Sequence, residues 1–289
     1  GEERIVRFLV VGCNGMGGHT ISRYMQYQRH GVLGFDRTIS PFVRSVAGDA
    51  ADTDALRALI ESEKFDAVIN CIGILNQFAE ERKALAVFLN SYLPHFLAEA
   101  TAKIDTQVIH MSTDCVFSGK RGGYTEQDLR DGTTFYDRSK ALGELEDGKN
   151  LTLRNSIVGP DANAKGIGLF NWFMQQQGEI KGYTKAMWTG LTTLQLAKAM
   201  EAASQLRAHG LYNMVYKEPI SKFDLLSLMN KKLRRPEIII HPADAFVCDK
   251  SLVRTRFEFP YLIPSYDTMI SELADWVIRH KSMYPHYSL

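Results

Sequence analysis

Near the start of the chain, a strand-length apolar run leads into a glycine-rich turn and then an amphipathic segment of helical length. The segment reads VVGCNGMGGHTIS and places Gly12, Gly15 and Gly18 three residues apart. The early glycines let main-chain N–H groups approach a pyrophosphate at the positive end of the helix, and the last allows close helix packing. We therefore predict a nicotinamide dinucleotide site at this turn, with Asn14 and Met16 also contacting the dinucleotide.

Beyond this turn, apolar runs of strand length alternate with longer segments of helical period. The alternation predicts a Rossmann-type α/β fold, a doubly wound parallel sheet with helices on both faces. Predicted strands cover 5–11, 32–35, 43–47, 66–72, 107–112, 151–158, 180–184, 211–216 and 237–242. Predicted helices lie near 16–28, 53–63, 78–102, 134–147, 167–177, 192–207, 221–233 and 266–282. We expect a dinucleotide-binding domain at 1–160, to which about 185–215 returns, and a smaller mixed α/β substrate-binding part at 161–289.

Composition and charge narrow the class of partner. The 289 residues are 45% hydrophobic and 23% charged, which is typical of a globular protein. A net charge of +1 without a long basic run argues against nucleic acid, and no apolar run reaches membrane-spanning length. The four cysteines form no CxxC pair and the histidines no ligand pair, so we predict neither a disulfide framework nor a metal site. We expect a cytoplasmic protein that acts on a small molecule.

Two charged residues end the second predicted strand, about twenty residues beyond the glycine turn. Asp36 stands where a carboxylate hydrogen-bonds the adenosine ribose of NAD(H), whereas Arg37 suits the 2′-phosphate of NADP(H). The pair leaves both cofactors open, and either residue also fits a solvated loop. Asp49, after the third predicted strand, is placed either to reach the adenine amino group or to cap the following helix.

A tyrosine and a lysine share one face of a predicted helix, because Lys140 follows Tyr136 by four residues. The nearby ammonium is expected to favour the phenolate and so lower the phenol's pKa. Ser112 and Thr113 end the fifth predicted strand, at the ligand edge of the sheet. A hydroxyl there polarises a substrate carbonyl while Tyr136 protonates the developing alkoxide. A hydride acceptor requires both services.

The strings GCNGMGG, NCIG, STDCVF, YDRSKALGE and LRNSIVG follow one another along the chain. Over about residues 5–200 the sequence resembles the extended short-chain dehydrogenases/reductases, and within them the dTDP-4-dehydrorhamnose reductase branch. The resemblance implies that Tyr136 is the proton donor beside the cofactor, that Lys140 tunes its pKa and binds the nicotinamide ribose, and that Thr113 polarises the carbonyl. It implies hydride delivery to C4 of a nucleotide-linked 4-keto-6-deoxy sugar, in surface polysaccharide or glycoconjugate synthesis. The backbone groups expected to line the dinucleotide are those of Cys71, Ile72 and Gly73.

The chain departs from that branch at two positions expected to face the sugar. Cys115 stands where the branch has tyrosine, and Ile157 stands where it has tryptophan. Losing two aromatic walls reshapes the pocket, so the sugar is not fixed by the resemblance. Candidate replacement walls are Phe117, Trp172 and Trp188, although large aromatic residues are more often core. Cys115 also replaces the glutamate base of the related dehydratases, which leaves reduction or epimerisation.

Two other functions stay open on the sequence alone. One is a regulatory protein, since the methionine adenosyltransferase regulatory subunit resembles the same branch and binds NADP; the other is a sugar nucleotide epimerase. Arg154 fits a strand-end salt bridge better than a phosphate contact, and Lys181 and Lys185 fit either a diphosphate contact or solvated surface. The resemblance suggests a homodimer formed through the helices at 78–102 and 134–147.

Overall fold

The structure is a computed structural model that describes residues 4–73 and 75–289. Its strands, numbered along the chain, are β1 (Arg7–Val11), β2 (Gly31–Asp36), β3 (Ser45–Ala47), β4 (Ala67–Asn70), β5 (Gln107–Thr113), β6 (Leu151–Asn155), β7 (Ile157–Val158), β8 (Glu179–Trp188), β9 (Leu191–Thr192), β10 (Gly210–Asn213), β11 (Ile220–Ser221) and β12 (Ile239–Asp249). Its α-helices are α1 (Met16–Tyr27), α2 (Thr53–Ser62), α3 (Asn76–Glu81), α4 (Lys83–Ala86), α5 (Leu93–Ala100), α6 (Phe135–Leu142), α7 (Leu169–Met174), α8 (Thr193–Leu206), α9 (Lys222–Leu233) and α10 (Tyr266–Arg279).

A parallel sheet forms the centre of the molecule. Within residues 4–73 and 75–289 it has seven strands in the order β10-β6-β5-β4-β1-β2-β3. One buried apolar cluster packs on each face of this sheet, as the nearly continuous apolar strands require. The prediction of a doubly wound, Rossmann-type sheet is confirmed. Its strand order reverses direction beside β1, and ligands of such sheets bind outside the carboxyl ends of the strands at that point.

The continuous helix predicted over 78–102 is wrong. The chain breaks at Arg82, whose φ of −131° is not helical, and a π-helix at Val87–Tyr92 then connects α4 to α5. Pro94 explains part of the irregularity, because it has no N–H to bond the carbonyl of Asn90. A Cβ built at Gly143 would lie 1.9 Å from that carbonyl oxygen, so the end of α6 packs directly against it. The irregular helix thereby buries Asn90 beside α6.

A smaller sheet lies in the later part of the chain, with the strand order β11-β8-β12. β12 runs parallel to β8 and β11 runs antiparallel to it, and Met187 pairs with both Ser221 and Asp249. The end of β8, the end of β11 and the end of β12 therefore meet at one place. The residues that follow the two outer strands there are Lys222 and Lys250.

Candidate active site

The glycine-rich turn joins β1 to α1 through close backbone contacts. Gly12 has a φ of +87°, which favours glycine, and its N–H donates to the carbonyl of Phe35 at 2.8 Å. A Cβ built at Gly18 would lie only 1.9 Å from the Gly12 carbonyl oxygen, so Gly18 allows the helix to pack on the turn. Gly15 precedes α1 and is exposed, and an added Cβ there would meet nothing closer than 3.6 Å. The turn is therefore closed toward the core and open toward solvent.

A groove of about 1020 Å³ extends from this turn across the ends of β1, β2 and β4. Most of the residues predicted to bind a dinucleotide line it: Gly12, Asn14, Gly15, Asp36, Arg37, Asp49, Cys71, Ile72 and Gly73. The structure places Gly18 inside the turn, and it places Met16 against Gly168, where an added Cβ would approach the Met16 sulfur to 2.8 Å. Sequence reasoning missed several lining residues that carry no local motif: Thr38, Phe78, Arg82, Leu85 and Leu89.

Asp36 holds the glycine turn against the end of β2. One carboxylate oxygen accepts the backbone N–H of Asn14 at 2.9 Å, and the other accepts that of Arg37 at 2.8 Å. The Asn14 amide in turn donates to the carbonyl of Thr38 at 3.0 Å. Arg37 has an exposed side chain on the wall of the groove. The acidic residue therefore shapes the turn, while the basic residue beside it stays available to a ligand.

Asp49 lies in the loop between β3 and α2, on the groove wall. Its carboxylate accepts the backbone N–H of Ala51 at 2.9 Å, and Asp52 caps α2 by accepting from Ala55 at 3.1 Å. The helix cap that the sequence allowed for Asp49 thus belongs to Asp52. The open glycine turn and the size of the groove together fit an extended dinucleotide.

Thr113 and Tyr136 meet beyond the inner end of this groove. The Thr113 hydroxyl accepts the N–H of Cys115 at 3.1 Å and lies beside the Tyr136 phenol. A capping box formed by Thr134 and Asp137 fixes the first turn of α6 and with it Tyr136. Burial raises the pKa of the Tyr136 phenol, and the neighbouring Thr113 hydroxyl only partly offsets that rise. The prediction that this pKa is lowered toward neutrality is therefore wrong, because desolvation of the phenolate dominates.

Lys140 reaches the inner end of the groove from α6. Its ammonium donates to the Met111 carbonyl at 3.1 Å and lies 3.7 Å from where a Cβ at Gly73 would stand. The side-chain oxygen of Asn90 lies 3.3 Å from the same point, and the Asn90 amide donates to the Ser139 hydroxyl at 3.1 Å. Burial lowers the pKa of Lys140 to about 8, against the opposing influence of Glu144. The groove therefore ends at a lysine that titrates near neutral pH.

Three of the residues predicted to face a substrate have different surroundings, and only Cys115 contacts Thr113. Cys115 is half-buried, and burial raises the pKa of its thiol to about 12, so the side chain is neutral. Ile157 is also half-buried and contacts Gly17 across the glycine turn, with its Cδ1 3.5 Å from an added Cβ. Trp188 is buried, and its indole N–H donates to the Ser156 hydroxyl at 2.8 Å.

Phe117 has a different place from the one predicted. Its side chain has no exposed surface, and its ring stacks on Tyr124 with centroids 4.4 Å apart. The Arg154 guanidinium lies over the same ring at 4.9 Å. Phe117 is thus a core residue behind the site and forms no pocket wall. Trp172, which the sequence also offered as a wall, is 40% exposed on α7.

Arg154 forms a buried ion pair, as the sequence indicates. Its guanidinium donates to the two carboxylate oxygens of Glu144 at 2.9 Å each, and the Ser112 hydroxyl donates to one of them at 2.7 Å. Arg130 contacts the same carboxylate from the outer side. Burial alone would raise the pKa of Glu144, but the Arg154 guanidinium holds it below its usual range. This cluster fixes the end of β5 beneath Thr113, and none of its residues lines the dinucleotide groove.

Sequence reasoning missed two lysines at the end of the smaller sheet. The Lys250 ammonium lies 3.6 Å from the Cys115 sulfur, and the Lys222 ammonium lies 5.6 Å from the centre of the Trp188 ring. They are more than a hundred residues from Thr113 along the chain, so no local spacing revealed them. Lys181 and Lys185, which the sequence suggested as diphosphate contacts, are exposed on β8.

Two classes of feature are missing from the part of the chain that the structure describes. No group of three or more histidine, cysteine, aspartate or glutamate side chains there is arranged to hold a metal ion. No helix of residues 4–73 and 75–289 combines the length and apolarity needed to span a bilayer. The four cysteines are all free thiols.

Comparison with known proteins then identifies the family. The family described as RmlD substrate binding domain matches residues 6–162, which is more than half of the chain. The chain belongs to the RmlD substrate binding domain family. It is 33% identical over 159 residues to a dTDP-4-dehydrorhamnose reductase of Burkholderia thailandensis, an alignment that covers 53% of this chain and 50% of that protein. This RmlD-family chain thus spans about half the length of the curated relatives it matches.

Solved structures extend the likeness over nearly the whole chain. A hypothetical dTDP-4-dehydrorhamnose reductase from Sulfolobus tokodaii has a TM-score of 0.76 and 25% identity, covering 90% of this chain and 98% of that one. The dTDP-4-dehydrorhamnose reductase of Bacillus anthracis, solved in complex with NADP, has a TM-score of 0.78 and 18% identity, covering 93% and 98%. The RmlD-type fold therefore includes the smaller sheet as well as the Rossmann sheet.

Proposed function

We propose that this RmlD-family chain catalyses the NAD(P)H-dependent reduction of the 4-keto group of a nucleotide-linked deoxysugar, in surface polysaccharide or glycoconjugate synthesis. The observation that carries the proposal is the placement of Thr113 beside the Tyr136 phenol, with Lys140 one helical turn further along α6 at the end of a groove that fits a dinucleotide. The matched relative is named as a reductase of this kind. That naming disfavours the regulatory and epimerase alternatives.

The chain's own residues position a dinucleotide along the groove. When bound there, NAD(P)H supplies the hydride that reduces the carbonyl carbon. The amino end of α1, which begins after Gly15 and has no side-chain cap, would receive the pyrophosphate, because the backbone N–H groups of a first helical turn and the helix dipole favour an anion. Lys140, which faces Gly73, holds the adjoining ribose at the inner end of the groove.

The proton for the alkoxide comes from Tyr136. Because burial raises its pKa, the phenol is protonated at neutral pH, which is the state a proton donor needs in the direction of reduction. The Thr113 hydroxyl lies beside the phenol and would donate to the same carbonyl oxygen, so two donors converge there. The Lys140 ammonium, buried one helical turn away, stabilises the phenolate that remains after the proton has left.

Among the two cofactors, the groove favours NADP(H). Two arginines, Arg37 and Arg82, line the groove and can pair with a 2′-phosphate. The Asp36 carboxylate, which would otherwise accept ribose hydroxyls, already accepts two backbone N–H groups. We propose that NADPH is the preferred reductant and that NADH is also used.

The test is a screen of 4-keto sugars linked to uridine, thymidine, guanosine and cytidine diphosphates for oxidation of NADPH and NADH. We expect at least one substrate to consume one NADPH for each product formed. Tyr136→Phe should slow that turnover by about 10²–10⁴-fold, the usual contribution of a general acid, while the Kd for NADPH stays at the wild-type value. Normal turnover by Tyr136→Phe would refute its role.

Two other outcomes of the screen would replace the proposal. Turnover without net consumption of NADPH would identify an epimerase. If no keto-sugar nucleotide reacts and the chain co-purifies with a partner enzyme, the regulatory alternative would stand instead. Each alternative therefore has its own readout in the same experiment.

We also propose a homodimer and a cytoplasmic location for this activity. The helices at 78–102 and 134–147 expose apolar side chains that a second copy would cover, among them Val87, Tyr92 and Leu142. The four free thiols suit a reducing compartment. Sedimentation equilibrium of wild type and Leu142→Lys tests the assembly: we expect a dimer for the wild type and a monomer for the variant, and a monomeric wild type would exclude it.

A further inference from the structure

Lys222 and Lys250 bring two positive charges to the substrate side of the Thr113 turn. Lys250 follows β12 and lies 3.6 Å from the Cys115 sulfur, and Cys115 donates its N–H to Thr113. Lys222 is the first residue of α9 and lies over the Trp188 ring at 5.6 Å. Both ammonium groups therefore lie near the Thr113–Cys115 turn, and neither lysine lines the dinucleotide groove.

Neither ammonium is neutralised by contact. Among the described residues, no carboxylate oxygen lies within 4.0 Å of the nitrogen of Lys222 or Lys250. Asp114 acts electrostatically on both ammonium groups, and Asp137 also acts on Lys250. One Asp137 oxygen accepts two backbone N–H groups at the start of α6, and the other is buried and makes no hydrogen bond within the described residues.

The surroundings affect the two lysines differently. Burial lowers the pKa of Lys222 and raises the pKa of Asp114 to about 6, whereas Cys115 and Asp114 raise the pKa of Lys250 against the opposing effect of burial. A desolvated charge without a close partner, such as Lys222, destabilises a fold, so it is retained where a ligand supplies the counter-charge. The Cys115 thiol, whose pKa burial raises to about 12, adds no negative charge beside Lys250.

We propose that Lys222 and Lys250 form an anion subsite that binds the diphosphate of the sugar nucleotide and so sets the sugar against Thr113 and Tyr136. This rests on the proposed function. In a nucleotide-linked 4-keto sugar the diphosphate is attached at C1, across the pyranose ring from the carbonyl at C4. By binding the diphosphate, the two lysines therefore orient the carbonyl toward Tyr136 without contacting the carbonyl itself. The pyrophosphate of the dinucleotide keeps its separate site at the glycine turn. Lys222 and Lys250 are binding and positioning residues.

Calorimetric titration tests the subsite, using the full chain saturated with NADP⁺ and titrated with uridine, thymidine, guanosine and cytidine diphosphates, the matching nucleosides, inorganic pyrophosphate and malonate. We expect Lys222→Met and Lys250→Met each to raise the Kd of the preferred nucleoside diphosphate by about tenfold or more, the size of one charge-assisted hydrogen bond. Lys222→Arg should keep the wild-type Kd within about threefold, because it keeps the charge. The Kd of the nucleoside and of NADP⁺ should not change in any variant.

Lys181→Met and Lys185→Met are matched controls, since they remove exposed lysines from β8 of the same sheet. Wild-type nucleoside diphosphate affinity in both Lys222→Met and Lys250→Met would overturn the subsite while leaving the proposed reduction intact. A loss of nucleoside diphosphate affinity in Lys181→Met or Lys185→Met instead would indicate that the diphosphate binds at β8. Preference for malonate over pyrophosphate would also overturn it, since a carboxylate would then be the ligand.

Pyrophosphate separates the two proposals. If it binds the wild type, is lost in the Lys222→Met/Lys250→Met double variant, and no nucleoside diphosphate binds, the anion subsite stands and the sugar nucleotide function fails. If neither pyrophosphate nor any nucleoside diphosphate binds the wild type, the subsite is refuted.

Discussion

Two clusters of charge, one buried and one half-buried, flank the Thr113 turn, and they differ in how the charge is neutralised. On the core side, Arg154 and Glu144 form a two-pronged ion pair with both distances at 2.9 Å, in which every charge meets an opposite one. On the substrate side, Lys222 and Lys250 have no carboxylate within 4.0 Å among the described residues. The difference suggests that the Arg154–Glu144 pair has a structural role and that Lys222 and Lys250 bind a ligand. Removing a charge should therefore have opposite consequences in the two places.

Arg154→Met should give the largest loss of stability. It leaves the Glu144 carboxylate buried and poorly paired, and breaking a buried ion pair from one side costs about 3–5 kcal/mol. Urea unfolding measures the change. The control is Arg4→Met, which removes a largely exposed pair with Asp66 and should cost less than about 1 kcal/mol. A decrease of less than about 1 kcal/mol in the free energy of unfolding of Arg154→Met would contradict the structural role of this ion pair.

From the low pKa of Lys140 we predict opposite pH trends for activity and stability. Its folded pKa of about 8 lies below the ordinary 10.5, so between these values the unfolded chain binds more protons and stability rises with pH. Activity should fall there, since kcat/KM loses about tenfold per pH unit once the ammonium deprotonates. Lys140→Met should lack the rise in unfolding free energy between pH 8 and 10.5, relative to wild type. A kcat/KM that stays level up to pH 10 would contradict the role of the charge.

The sequence predicted the core side of this site much better than the substrate side. The glycine turn, Asp36, Thr113, Tyr136 and Lys140 belong to short motifs at strand ends, and a parallel sheet brings strand ends together at one edge. The ion pair of Arg154 was also predictable, because a charged side chain in an otherwise apolar strand requires a partner of opposite charge.

The substrate side depends on pairings that no local pattern encodes. Lys222 and Lys250 follow strands that meet only because β11 and β12 both pair with β8. The break at Arg82 and the π-helix that buries Asn90 also follow from tertiary packing, here of Gly143 on the Asn90 carbonyl. The prediction that Phe117 forms a pocket wall was wrong, because the sequence does not show whether an aromatic side chain next to a motif faces the pocket or the core.

Arg37 is an exposed cation on the groove wall, whereas Lys222 and Lys250 are half-buried. Arg37→Met should raise the Kd for NADPH by about tenfold through loss of a phosphate contact, and it should leave the Kd for NADH and the stability unchanged. Fluorescence titration of both reduced cofactors measures the ratio. Equal weakening of NADPH and NADH would show that Arg37 does not read the 2′-phosphate.

Lys222→Met should have the smallest effect on stability. The sign of that effect distinguishes an unpaired charge, as proposed for Lys222, from a paired one such as Arg154. Because the wild-type ammonium lacks a close counter-charge, its removal should leave the free energy of unfolding unchanged or raise it by up to about 1 kcal/mol without ligand. Urea unfolding beside Arg154→Met gives the contrast directly. A loss of several kcal/mol would mean that Lys222 is paired in solution and belongs to the structural class.

Deuterium transfer from the cofactor to the sugar tests the proposed 4-keto reduction. NADPH carrying deuterium at the reactive C4 position of its nicotinamide is incubated with the chain and the 4-keto sugar nucleotide that the screen selects, and the product is examined by mass spectrometry and NMR. We expect a single deuterium on C4 of the sugar, formed by the wild type and nearly abolished in Tyr136→Phe. A product with deuterium at another carbon, or one formed without deuterium, would contradict it.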